Sequence, residues 1–239
     1  MQLDFSAREV TVKLVYYGPA LSGKTSNLVA LHGLAGIDTR GRLMTLETQD
    51  DRTLFFDLLP LTFRSRDGDF SLRIKLFTVP GQPIHSATRR LVLQGADGIA
   101  LVADSRLSQT QGNADAFFDL RENLRTNGLE LAKMPLVIQF NKRDLPAIRT
   151  EAELGQLAER GKEPVYLAVA TSGVGVIETF MGLLHLTWTN LDATHQLARK
   201  LSIDGDTLLT HAAQKLGVKT PFGELLARRV GGSKLGSAR

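Results

Sequence analysis

Gly18-Pro19-Ala20-Leu21-Ser22-Gly23-Lys24-Thr25 is the stretch whose reading decides the fold. It fits G-x-x-x-x-G-K-[ST], a phosphate-binding loop. Val10–Tyr17 before it is rich in β-branched and aromatic residues and predicts a strand. Ser26–Leu31 after it can continue as a helix. In a strand–loop–helix context, the backbone N–H groups from Ala20 through Ser26 would turn toward an anion at the positive helix N-terminus. Gly18 and Gly23 permit backbone angles and close approach that a Cβ would obstruct. Lys24 would supply a point charge for β- and γ-phosphates, and the Thr25 hydroxyl would ligate Mg²⁺.

Outward from that loop, helical and buried-strand patterns take turns. Phe70–Val79 alternates as a half-buried strand, and the turn residues Arg66–Asp69 predict a hairpin with Leu61–Ser65. Ser86–Leu93, Asn113–Asn127 and Glu151–Arg160 read as helices; Gly98–Ala103, Leu136–Phe140 and Val165–Ala170 read as strands. A long helix starts near Gly175 and can run on to Lys200. The alternation predicts an α/β three-layer fold around a mostly parallel sheet with one antiparallel edge hairpin. Such sheets bind ligands beyond the carboxyl ends of their strands, which selects the loops to search.

Three further loops qualify. Pro80-Gly81-Gln82 offers a glycine N–H for a γ-phosphate and a glutamine to orient water. Asn141-Lys142-Arg143-Asp144 offers a carboxylate that can accept both N1–H and N2–H₂ of guanine, with Asn141 tying loops together and the Lys142 stem covering a base face. Ala170-Thr171-Ser172 could give a backbone N–H to the guanine O6.

Composition bounds the rest. The chain has 239 residues, 43% hydrophobic, with no cysteine, so disulfides, thiol catalysis and zinc–thiolate sites are excluded. The first nine residues show no leader pattern, and no apolar run approaches the ~18–20 residues of a membrane helix. A cytoplasmic protein without membrane insertion is expected. Net charge is +4, with eight Lys/Arg against four Asp/Glu in residues 190–239. That weakly basic tail carries no nucleic-acid recognition motif. The five histidines are scattered without ligand spacing, and Lys215 stands where a calcium loop starting at Asp204 would need its bidentate acid.

These motifs, in this order, resemble the Ras-like small GTPases, and within them the bacterial MglA group. The segments that carry the resemblance are Tyr16-Tyr17-Gly18-Pro19, Asp51–Asp57, Thr78–Gln82 and Gln139–Pro146. It covers residues 3–190 and not the tail. It implies a Ras-like G domain over 1–190, with GTP/GDP and Mg²⁺ as ligands. The implied function is a switch controlling cell polarity or gliding motility, turned off by a dimeric roadblock-domain partner of the MglB type, with effectors and recruitment to a cell pole. By the same resemblance Thr53 would be the second Mg²⁺-ligating hydroxyl, Arg52 an arginine finger in cis, and Gln82 the residue that positions water.

Two departures shape the expectations. Thr78 stands where most Ras-like proteins have the aspartate that holds Mg²⁺ through water, which weakens the outer shell. The MglA group shares it. Ala20 stands where glycine is usual, and its methyl would crowd the γ-phosphate end, predicting slow unaided hydrolysis. A guanine-nucleotide scaffold without meaningful hydrolysis is the rival reading, and a P-loop kinase a third. Residues 191–239 form a helical extension: a helix with Asp206 as cap and Gly217 as stop, a short helix after Pro221, and a disordered basic end from Gly231. The stripe Leu208, Leu209, Ala212, Ala213, Leu216 needs a cover: the body, a partner, or an anionic surface. Trp188 and the phenylalanines read as core.

Overall fold

The computed structural model describes residues 1–46, 56–65, 67–81 and 86–231. Arg52, Thr53, Gln82 and the 232–239 end fall outside them. Eight strands form one sheet: β1 Gln2–Asp4, β2 Glu9–Tyr17, β3 Met44–Leu46, β4 Phe56–Arg64, β5 Ser71–Thr78, β6 Gly98–Asp104, β7 Leu136–Asn141 and β8 Val165–Leu167, in the order β3-β4-β5-β2-β6-β7-β8. Pairings β5–β2, β2–β6, β6–β7 and β7–β8 are parallel. The expected hairpin is β4–β5, antiparallel with Leu58 opposite Phe77, and β3 extends it antiparallel at the edge. The N-terminal β1, which the sequence reading did not predict, pairs antiparallel with Glu9–Thr11, end to end with β6 along the same side of β2.

Residue patterns explain each layer. All seven residues of β6 are buried, the continuous run that a central parallel strand covered on both faces requires. The helices α1 Lys24–Leu34, α2 Ser86–Leu93, α3 Thr110–Thr126, α4 Glu151–Arg160 and α5 Val176–His195 follow in order. Thr150 and Glu153 close a reciprocal capping box on α4, worth about 1 kcal/mol. The α3 helix begins three residues before the expected Asn113; that side chain instead braces Asp104, accepting its N–H at 3.0 Å and donating to its carbonyl at 2.8 Å.

The long last helix stops short of Lys200. Gln196 adopts left-handed angles (φ 56) after α5, and a new helix, α6 Leu197–Leu201, turns back with Asp192 accepting from the Ala198 N–H at 2.7 Å. Then come α7 Gly205–Lys215 and α8 Phe222–Ala227. Asp204, rather than Asp206, caps α7, accepting from the Thr207 N–H at 3.1 Å. All five residues of the α7 stripe are buried in the same core as β2, β4, β5 and α5, so the body is their cover. That explains why ten of the twenty residues of α5 are buried: the sheet lies on one side and the last helices on another. Trp188 is core, as are Phe63, Phe70 and Phe180, whereas Phe5 and Phe118 are exposed.

Candidate functional site

Five loops leave the carboxyl ends of β2, β5, β6, β7 and β8 at one edge of the sheet. The first is Gly18–Thr25. Gly23 (φ 100) caps α1 with no side-chain hydrogen bond, and no acidic residue occupies the first turn. The helix therefore presents N–H groups that an anion can accept from. Close approach fixes glycine here as well: a Cβ on Gly23 would lie 2.1 Å from Asn141 Nδ2. Ser22 is buried, and Leu21 (φ 60) projects into solvent.

Lys24 is 7% exposed, its ammonium donating to the Gly18 and Pro19 carbonyls at 2.9 and 2.7 Å. Burial lowers its pKa to about 8, the positive charge of Arg89 adds to the effect, and Asp57 opposes it. A cation disfavoured by both its surroundings and a like charge gains most from an anion placed beside it.

Asn141 ties three loops together. Its Nδ2 donates to the Ser22 carbonyl at 2.8 Å, and its Oδ1 accepts from the Ala170 N–H at 2.9 Å. Beneath it Gln139, fully buried, exchanges hydrogen bonds with Asn27 of α1 (2.8 and 2.9 Å) and donates to Thr179 of α5 at 2.8 Å. Ala170–Ser172 is a turn of 3₁₀ helix; β8 ends at Leu167, earlier than expected, because the chain must bend there to meet Asn141. Leu21, Gly23, Ser26, Asn141, Lys142, Asp144, Leu145, Ala170 and Thr171 surround one cavity of about 180 Å³. Nearly every residue predicted for base recognition is therefore brought to one place.

After β5 the chain passes directly over the P-loop. A Cβ on Gly81 would lie 2.4 Å from both the N and Cα of Ala20, so only glycine fits.

No protein-family profile matches the chain. The Mutual gliding-motility protein MglA of Myxococcus xanthus (strain DK1622) is 44% identical over 189 residues, covering 79% of this chain and 96% of the relative. The chain belongs to the MglA family. Its sheet, P-loop and flanking helices form a P-loop GTPase fold. Elongation factor 4 of Thermosynechococcus vestitus is 27% identical over 165 residues, 67% of this chain but only 26% of the factor. Among the described residues no helix is long and apolar enough to cross a membrane.

Thr78 sits beside a carboxylate on the neighbouring strand, that of Asp57 of β4. Its Oδ2 accepts from Thr25 Oγ1 at 2.6 Å and from Thr78 Oγ1 at 3.0 Å; its Oδ1 accepts from Thr45 Oγ1 at 2.9 Å. Thr78 Oγ1 in turn accepts from the Asp57 N–H at 2.8 Å. The hydroxyl of Thr25 with the carboxylate of Asp57 behind it is an all-oxygen set of the kind that suits a hard cation. Sequence reasoning missed Asp57, although a signal was there: it interrupts the inward-facing series Leu59, Leu61, Phe63 with a charge.

Asp104 was missed too. Buried at the end of β6, it accepts from Lys142 Nζ at 2.8 Å and from Arg106 Nη2 at 2.7 Å. Burial pushes its pKa up, but hydrogen bonds from Arg106 and Lys142 outweigh that and hold it at about 2. The carboxylate is thus ionised and pins the Lys142 side chain at the rim of the base cavity.

Proposed function

We propose that this protein is a guanine-nucleotide switch that binds GTP and GDP with Mg²⁺, hydrolyses GTP slowly unaided, and signals through nucleotide-dependent partners. Asn141 carries the reading: one buried side chain holds the phosphate loop and the 170–172 turn around the cavity that Asp144 lines. In that cavity Asp144 reads the guanine edge and the Ala170–Thr171 backbone approaches its O6, while the P-loop N–H groups and Lys24 hold the phosphates. Thr25, backed by Asp57, and Thr53 would hold the ion, which would supply neutralisation of the phosphate charge. Residues 1–190 form the G domain and 191–239 the helical extension. The process controlled is cell polarity or gliding motility, the off-signal comes from an MglB-type roadblock dimer, and recruitment to a cell pole belongs to the same reading. The test is calorimetry with GDP and ADP, then single-turnover phosphate release with and without such a partner. Equal affinity for both nucleotides would refute the reading; guanine binding without any release would leave the scaffold alternative.

Ala20 supports slow turnover, because Gly81 lies against it and the two share the space beside the phosphate end. Misplacement by about 1 Å costs ~10²-fold in rate. Ala20→Gly is therefore expected to raise single-turnover hydrolysis by up to ~10²-fold. No gain, with or without a roadblock partner, would remove the crowding account.

Gln82→Leu and Arg52→Ala are each expected to lose stimulated hydrolysis by ~10²–10⁴-fold while keeping nucleotide affinity, as removal of a transition-state contact should. Unchanged turnover in either variant takes that residue out of the mechanism.

A further inference from the structure

A part-buried ionic cluster, none of whose residues line the base cavity, lies beside the P-loop. Arg89 of α2 has a side chain only 7% exposed, its Nε 2.8 Å from Asp119 Oδ2 and its Nη2 donating to Oδ1 at 3.3 Å. Asp119 belongs to α3 and accepts two more hydrogen bonds, from the Tyr17 hydroxyl and from Asn123 Nδ2 at 3.0 Å. Asn123 Nδ2 also donates to the Tyr17 hydroxyl oxygen at 2.9 Å. Tyr17 is the fully buried last residue of β2, bonded directly to Gly18. One carboxylate thus joins the helix that follows Gly81, the α3 helix and the strand that enters the P-loop.

The way α2 is anchored makes this more than packing. Its second turn is held by Val92 and Leu93, both in an apolar cluster with Leu120 and Leu124 of α3. Its first half is held by the buried Thr88 and by Arg89, and between it, α3 and the P-loop lies a cavity of about 350 Å³ whose described lining includes Pro19, Ala20, Gly81, Arg89, Asp115 and Asp119. Beside that cavity the Arg89–Asp119 ion pair ties α2 to α3. Arg89 is also near enough for its charge to disfavour that of Lys24.

We propose that Arg89 and Asp119, backed by Tyr17 and Asn123, are a positioning clamp that fixes where Gly81 and the start of α2 stand over the phosphate loop. Removing the carboxylate breaks the ion pair between Arg89 and α3 and loosens the first half of α2 while its apolar end stays docked. The hydrolysis arm of the test rests on the proposed function; the exchange arm does not.

The experiment is amide hydrogen exchange on the full chain without added nucleotide, comparing wild type with Asp119→Asn and the milder Tyr17→Phe. Residues 86–93 are expected to exchange about tenfold faster in Asp119→Asn, less so in Tyr17→Phe, with 151–160 unchanged. Single-turnover hydrolysis is expected to fall by ~10²-fold with GDP dissociation within about twofold of wild type. Unchanged exchange in 86–93 for both variants overturns the clamp, and so does a rise spread evenly over the chain, the mark of a merely structural role. If wild type releases no phosphate, the proposed function fails, and the exchange result still decides the clamp.

Discussion

Asp57→Asn is expected to strip magnesium of most of its hold on the nucleotide. In wild type the ion should slow GDP release strongly; in the variant that slowing should shrink by about 10–100-fold, the usual loss when an outer-shell partner of a metal site is removed. Thr25 Oγ1 donates to Asp57 Oδ2 at 2.6 Å, which turns the hydroxyl's lone pairs in a fixed direction, and Thr78 Oγ1 approaches the same oxygen at 3.0 Å. An amide nitrogen in place of that oxygen cannot accept from either hydroxyl, and the site also loses a negative charge. The measurement is dissociation of a fluorescent GDP analogue with excess magnesium and with chelator. An equal magnesium effect in both proteins would take Asp57 out of the metal site. Thr78→Asp sharpens the test. Alone it sets two carboxylates side by side, which like-charge repulsion penalises. Combined with Asp57→Asn it restores one carboxylate and should recover the magnesium effect.

That pair also shows what a sequence reveals and what it withholds. Gly18–Thr25, Pro80–Gly81 and Asn141–Asp144 were legible because each needs its residue types adjacent in the chain, at the end of a strand with a recognisable pattern. Asp57, Asp104 and the Arg89–Asp119 pair were not, since each acts across strands or helices and depends on register and packing. Thr78 looked like a lost carboxylate because the substitution is read along β5, whereas the acid lies on the neighbouring strand. The α7 stripe announced a need for cover; that the cover is α5 and β4 is a tertiary fact. The break at Gln196 was invisible, because neither glycine nor proline marks it and a left-handed residue there is stabilised by the Asp192 hydrogen bond to Ala198.

Asp144→Asn is expected to lose guanine preference altogether, with GDP affinity falling by ~10³–10⁵-fold, since a site built to pair a polar group rejects the mismatched partner on that scale. Guanine shows two donors on its Watson–Crick edge, N1–H and N2–H₂, and a carboxylate is acceptor-only, so the two match without an unpaired group. An asparagine offers one acceptor and one donor, and its NH₂ would face a guanine N–H. Lys142 decides where the carboxylate stands: its left-handed backbone (φ 66), the Arg143 N–H donating to the Ala168 carbonyl at 3.1 Å and the Leu145 N–H donating back to Lys142 at 3.2 Å bend the chain into the base cavity. Asp144 is exposed in that rim, so water solvates the carboxylate until a base covers it. Competition with GDP, IDP and ADP separates the terms. In wild type, IDP, which lacks the 2-amino group, should fall between GDP and ADP; in the variant GDP should lose its lead over IDP. A variant that still ranks GDP far above IDP and ADP would show that the guanine edge is read by some group other than this carboxylate.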